Sequence, residues 1–279
     1  MTTGTASAPG SSANLGPGFD CLGIAVELPC RVEAVLGDDW LVTEGDRSFE
    51  PKPTEFVRRA VVAAIDRPVH LHIDSEVPRS RGLGSSAAVM VATAAAAIRA
   101  TGREPNSSEL YELVTAIEGH GDNAGAAVYG GLVAVADGTL RSLELSPDLV
   151  FVFGVPDEKL KTKEARHALP EEMKRTAAAR NVARMAFLIE GLRTGDDAAL
   201  KCAGGDEIHE VHRNALSPLT RELMEAARRG GALHTAWSGA GPTALAIAKE
   251  PANVVAEMEE TLAGRGRVLV PDVATSGWE

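Results

Sequence analysis

The stretch from Val69 to Ala100 constrains this chain more tightly than any other. Val69, Leu71 and Ile73 alternate with His70, His72 and Asp74, the period-2 pattern of a half-buried strand, predicted over 69–77. Pro78-Arg79-Ser80-Arg81-Gly82-Leu83-Gly84 follows, and then an alanine-rich run from Ser85 to Ala100 with strong helix propensity. Strand, glycine loop and helix therefore succeed one another without a linker. Two glycines let the backbone approach a phosphate closely, and the start of the helix offers unpaired N–H groups with a favourable dipole. The same residues would also make a tight turn capped by Ser85.

Familiar nucleotide loops do not fit. The lysine and the spacing of a Walker A motif are missing, and no acidic residue ends a following strand at the distance a dinucleotide fingerprint needs. The apolar run Ala87–Ile98 contains Thr93 and, at about twelve residues, is too short to span a bilayer. No basic side chain precedes Arg31, so no charged leader opens the chain. The expectation is a cytoplasmic protein with no membrane partner.

Elsewhere the pattern mixes helices and strands. Strands are predicted at 22–35, 131–136, 149–155 and 267–270, with a strand-loop-strand around 238–248. Helices are predicted at 107–118, capped by Ser107 or Ser108, and near 171–193, 196–203, 218–229 and 252–263. The class is α+β. The pattern changes near 145–155, dividing the chain into 1–148 and 149–279. Only 4% of residues are aromatic against 44% hydrophobic overall, so Ala, Val, Leu and Ile must fill the core. With 28 Lys and Arg against 39 Asp and Glu, the formal charge is −11. That excludes broad phosphate-tracking nucleic-acid binding but not a small anion held by backbone amides. Cys21, Cys30 and Cys202 form no metal or disulfide pattern.

Three further clusters carry polar groups. Ser11-Ser12-Ala13-Asn14-Leu15-Gly16-Pro17-Gly18-Phe19-Asp20 reads as a loop leading into the first strand. Glu118-Gly119-His120-Gly121-Asp122-Asn123 crowds four polar side chains where a helix ends, either a cap and turn or a place for a cation and a reacting hydroxyl. Ser238-Gly239-Ala240-Gly241-Pro242 reads as a glycine turn between strands. His209 and His212 are three apart rather than four, so they do not make a zinc-protease helix. His70 and His72 read as solvated.

Together the clusters resemble the GHMP kinases. Pro9–Asp20, Gly82–Ala87 and Ser238–Pro242 stand in the family's order across nearly the whole chain. The resemblance implies two lobes, an N-terminal half like the second domain of ribosomal protein S5 and a ferredoxin-like C-terminal half, with ATP and substrate between them. Pro78, Arg79, Ser80, Arg81, Gly82, Leu83, Gly84, Ser85 and Ser86 would bind ATP, and Ser86 with Glu118 would hold Mg²⁺. Glu118–Asn123 looks like E-G-H-P-D-N, Thr162–Arg166 resembles T-x-E-A-R, and His209–Arg213 resembles H-Q-P-Y-R. These place the chain nearest the branch that phosphorylates the hydroxyl of L-homoserine for threonine synthesis.

By that carry-over Asn14, Asp20, His120, Asn123, Arg166, Arg213 and Gly239 bind the amino acid, and Asn123 with Asp122 are the catalytic candidates. Two planar guanidiniums would clamp the carboxylate bidentately. Four departures stand out: Gly121 for proline, Glu210-Val211-His212 for Gln-Pro-Tyr, Ser80 for glycine, and Glu55-Phe56-Val57 for N-L-V. A kinase for another small hydroxy acid or amino acid, and a silent ligand sensor on the same fold, are the alternatives. The family commonly forms homodimers.

Overall fold

The computed structural model describes residues 2–279. The first half comprises β1 (Thr3–Asn14), β2 (Gly18–Leu36), β3 (Leu41–Glu44), β4 (Arg47–Phe49), α1 (Phe56–Ile65), β5 (Val69–Ser75) and α2 (Ser85–Ala100). It continues through α3 (Ser107–Glu118), α4 (Asp122–Tyr129), β6 (Leu132–Ala136) and β7 (Thr139–Leu143). The second half comprises β8 (Val150–Pro156), α5 (Thr162–His167), α6 (Arg175–Thr194), α7 (Asp197–Cys202) and α8 (Glu210–Arg213). It ends with α9 (Pro218–Arg229), β9 (His234–Trp237), β10 (Ala244–Ala248), α10 (Ala252–Leu262) and β11 (Gly266–Leu269).

The first half forms a seven-stranded sheet in the order β4-β3-β5-β2-β6-β7, with β1 also on β2. The long β2 is its spine: one side pairs with β1, the other with β5 through Cys30–Leu36 and with β6 through Leu22–Ile24. Only β3 and β5 run parallel. Helix α2 lies against β1 and β2 with thirteen of its sixteen residues buried. Alanine allows that approach: a methyl group on Gly4 of β1 would lie 2.1 Å from the Ala96 carbonyl oxygen. Close packing of small side chains is how a chain poor in aromatics fills its core.

The second sheet is antiparallel in the order β11-β8-β10-β9, which makes a ferredoxin-like split βαβ arrangement with α9 and α10 packed on it. The chain then returns to the first half. Val273 bridges to Val26, and Ser7 and Glu279 exchange two backbone hydrogen bonds of 2.9 Å. Among the described residues, no helix is long and apolar enough to cross a membrane.

Several local expectations are corrected. Residues 11–14 are not loop but the buried end of β1, where both faces are covered and no alternation shows. Asn106, not Ser107 or Ser108, caps α3, its side chain accepting from the Glu109 N–H at 2.9 Å. The turn before α2 is closed by Gly84 in the left-handed region, with no hydroxyl cap from Ser85. Helix α6 starts only at Arg175, because Lys174 is extended. His70 is not merely solvated; its Nε2 lies 2.6 Å from Asp39.

Candidate active site

The loop between β5 and α2 is shaped by backbone. Ser80, Gly82 and Gly84 have φ of 55°, 74° and 66°, and a Cβ on Gly82 would sit 2.1 Å from the Ser238 carbonyl oxygen. The Ser238 hydroxyl reaches the Gly82 carbonyl at 2.7 Å and Ser12 Oγ at 2.8 Å, so its single proton goes to the carbonyl and it accepts from Ser12. The Ser11 N–H bonds the Leu83 carbonyl, and the Gly239 N–H bonds the Ala13 carbonyl. The three glycine- and serine-rich clusters, remote in sequence, thus form one hydrogen-bonded unit.

The loop's arginines are already engaged. Arg81 donates to the carbonyls of Pro156, Asp157 and Arg79, and Arg79 pairs with Glu44. Helix α2 makes its first backbone bond from Ala88 to Gly84. The N–H groups ahead of Ala88 have no partner within the helix, which leaves backbone donors rather than guanidinium groups available to an anion here.

A cavity of about 670 Å³ opens beside this loop and is lined by residues from both halves of the chain. Every residue expected at the site from sequence lines it: Pro78–Ser86, Asn14, Asp20, Glu118, His120, Asp122, Asn123, Arg166, Arg213 and Gly239. One wall is apolar, with Val42, Phe49, Phe56, Val57 and Ile73. Phe56 and Val57 stand where the chain departs from N-L-V; Val42 and Phe49 escaped sequence reading because β3 and β4 are too short to show a period, and Ile73 showed only as the buried face of β5.

Glu118 ends α3, where Gly119 turns left-handed at φ 85°. Burial drives its carboxyl pKa up to about 7. Ser86 lies near enough to oppose that rise, yet neither Ser86 Oγ nor Glu118 Oε2 completes a hydrogen bond. Two buried, unsatisfied oxygen atoms facing one cavity suit a hard cation such as Mg²⁺. Asp20, His120 and Asp122 offer a second group of ligand atoms, all within 4.8 Å of one another.

Asp122 begins α4 and is almost fully buried. Its Oδ1 accepts from His120 Nδ1 at 2.7 Å and from the Asn123 backbone N–H at 2.7 Å. Burial pulls the His120 pKa down, but the hydrogen bond and charge of Asp122 outweigh it and hold the imidazole above its ordinary value. Asn123 Oδ1 accepts from Ser11 Oγ at 2.9 Å, a partner that sequence reading had no means of finding.

The remaining polar groups of the lining are charged side chains. Asp20, at φ 52°, is held by its N–H to Asn14 Oδ1 at 3.0 Å, while Asn14 Nδ2 donates to the Gly239 carbonyl. The Asp20 carboxylate takes both Arg166 nitrogens, at 2.7 and 2.9 Å, which raises the Arg166 pKa. Arg213, 2% exposed, forms no ion pair among the described residues. Burial, and then the charge of Arg166, lowers its pKa to about 10. An under-compensated guanidinium at a cavity wall is a site for an anion.

The expected bidentate clamp from Arg213 is corrected. Its Nε donates to the Ala165 carbonyl and its Nη1 to both His209 Nδ1 and the Gly239 carbonyl, so only Nη2 is left for a ligand. Phe19, quoted in the sequence only as part of a motif, contacts both arginines, its ring centre 5.7 and 5.6 Å from their guanidinium carbons.

Comparison with known proteins fits this geometry. Residues 54–131 match the GHMP kinases N terminal domain and residues 188–264 the GHMP kinases C terminal domain; the chain belongs to the GHMP kinase family. Among its relatives is a homoserine kinase of Moorella thermoacetica, 37% identical over 254 residues that cover 86% of each chain. A homoserine kinase of Thermus thermophilus is also 37% identical, over 94% of this chain and 93% of its own. The crystal structure of homoserine kinase from Cytophaga hutchinsonii superposes with a TM-score of 0.89 at 25% identity, covering 100% of this chain and 97% of that one.

Proposed function

We propose that this protein is a homoserine kinase, transferring the terminal phosphoryl group of ATP to the hydroxyl of L-homoserine to give O-phospho-L-homoserine for threonine synthesis. The observation that carries the acceptor is Arg213, a buried guanidinium with no carboxylate partner among the described residues, lining the same cavity as the Asp20–Arg166 pair and the phosphate loop. A zwitterion answers both. Its ammonium takes the place of Arg166 on Asp20, and its carboxylate takes Arg166 and Arg213 Nη2.

Phosphoryl transfer asks mainly for alignment and for neutralisation of spread charge. The backbone amides of residues 82–87 hold the phosphates, and the apolar wall around Phe56 takes the base. Ser86 and Glu118 would hold Mg²⁺, which offsets phosphate charge when bound. Asn123 is fixed by Ser11 and turns its amide toward the acceptor hydroxyl. Asp122 orients His120 and Asn123 and takes no proton. The lobes divide near residue 148, with residues 272–279 strapped back onto the first.

The test is ADP release across L-homoserine, L-threonine, L-serine, mevalonate and galactose. We expect L-homoserine to give the highest kcat/KM. Faster turnover of another alcohol overturns the acceptor while leaving the kinase class intact.

A further inference from the structure

His209 is buried and stands outside the cavity lining, yet it touches the residue that carries the acceptor reading. Its position is built by its neighbours. Asp206 Oδ2 accepts from the N–H groups of Ile208, His209 and Glu210 at 3.1, 2.7 and 2.9 Å, fixing the turn into α8. Phe19 stacks on the imidazole at 5.3 Å between ring centres and 30° between planes.

Both ring nitrogens are then assigned by their partners. Nε2 lies 3.0 Å from the Gly16 carbonyl, and a carbonyl only accepts, so Nε2 carries the hydrogen. Nδ1 lies 3.0 Å from Arg213 Nη1, and a guanidinium only donates, so Nδ1 is bare. Burial pushes the imidazole below the ordinary histidine range, in keeping with a neutral ring. Asp206 Oδ2, 3.7 Å from Nε2, lies on the side of the N–H.

We propose that His209 is a positioning residue for the acceptor carboxylate: locked as the Nε2–H tautomer by Gly16, it offers Nδ1 to Arg213 Nη1 and thereby aims Nη2 into the cavity. With the Gly239 and Ala165 carbonyls taking the remaining bonds of Nη1 and Nε, the guanidinium has one orientation and one free nitrogen. The Gly16 contact also ties that orientation to the turn between β1 and β2, which Asn14 and Asp20 flank. The two ends of the bound zwitterion are therefore set by one imidazole. This rests on the reading of Arg213 as the carboxylate contact.

Two variants separate positioning from packing. His209→Asn keeps an acceptor where Nδ1 stands and loses the donor to Gly16; His209→Gln keeps a donor near Nε2 and loses the acceptor for Arg213. His209→Gln is expected to raise the homoserine KM about tenfold or more, as for loss of a hydrogen bond to a charged group, with kcat and the ATP KM nearly unchanged. His209→Asn is expected to stay close to the parent. Equal KM values for the two variants, a worse KM for His209→Asn, or a parallel rise in the ATP KM overturns the proposal.

A second readout needs neither substrate nor a folded variant series. Long-range ¹⁵N–¹H correlation on the ligand-free parent protein near neutral pH, with the signal assigned by its absence from either variant that folds or otherwise by through-bond assignment, should show the Nε2–H tautomer. An Nδ1–H or imidazolium ring overturns the proposal whichever alcohol the enzyme phosphorylates. Failure of homoserine to turn over beside the Nε2–H signal counts against the acceptor reading instead.

Discussion

In the proposed reading, the two walls of the cavity recognise charge by opposite means. On the phosphate wall the donors are backbone amides, and the arginines nearby are turned away onto Pro156, Asp157 and Glu44. On the acceptor wall the groups are Asp20, Arg166 and Arg213, drawn from β2, α5 and α8 and separated by up to 193 positions between Asp20 and Arg213. Amides fixed by a loop's dihedral angles need no counter-charge and carry no net charge themselves, which is how a chain of charge −11 accommodates a polyphosphate. Side-chain charges must instead be held and aimed one by one by their own partners.

If the phosphate wall depends on backbone shape, its most sensitive point is a glycine. Gly82→Ala puts a methyl group 2.1 Å from a backbone oxygen at φ 74°. We expect kcat/KM to fall more than about 100-fold for both substrates, since misplacing bound groups by about 1 Å has that effect. Steady-state kinetics with ATP and homoserine varied in turn will show it, and loss confined to homoserine would break the contrast between the walls.

The acceptor wall should fail selectively. Arg213→Ala removes the one unpaired buried guanidinium among the described residues, and we expect the homoserine KM to rise about 30-fold, as loss of a charged hydrogen bond predicts. The ATP KM should stay within about twofold, because the phosphate donors are elsewhere. An unchanged homoserine KM would remove Arg213 from the site.

The smallest effect concerns the buried carboxyl of Glu210, three residues before Arg213. Burial raises the Glu210 pKa to about 8 while its Oε1 accepts from the Trp237 N–H at 2.8 Å. The folded state therefore holds a proton that the unfolded chain releases near the ordinary glutamate value. This contribution is whole at low pH and is lost as pH rises toward 8. Glu210→Gln keeps the acceptor and cannot ionise, so its Tm should exceed that of the parent at pH 9 and match it near pH 5. Equal Tm values at pH 9 would place the ionised carboxylate in solvent. Glutamine is also the residue of the motif that this segment resembles.

The phosphate wall was readable because its parts are contiguous. Period-2 alternation, two glycines and an alanine run specify strand, loop and helix by local sterics, and α2 and α3 fall on the predicted residues. The end of β1 was not readable as a strand, because burial on both faces erased its alternation from Pro9 to Asn14, and the small residues Thr3 to Ala8 that do alternate in burial make no apolar stripe. Helix α4 was hidden by Gly119 and Gly121, which look like the end of one helix although Asp122 begins another.

The sequence by itself determined that a glycine loop meets a helix start, and its motif order named the family. Tertiary structure decided how each charge is employed. Nothing near residue 213 in the sequence says that two of three guanidinium nitrogens are occupied, that Asp20 already holds Arg166, or which nitrogen of His209 bears hydrogen. Those facts follow from contacts made across the fold, because a side chain's protonation and aim depend on which groups the packed chain places within about 3 Å of it.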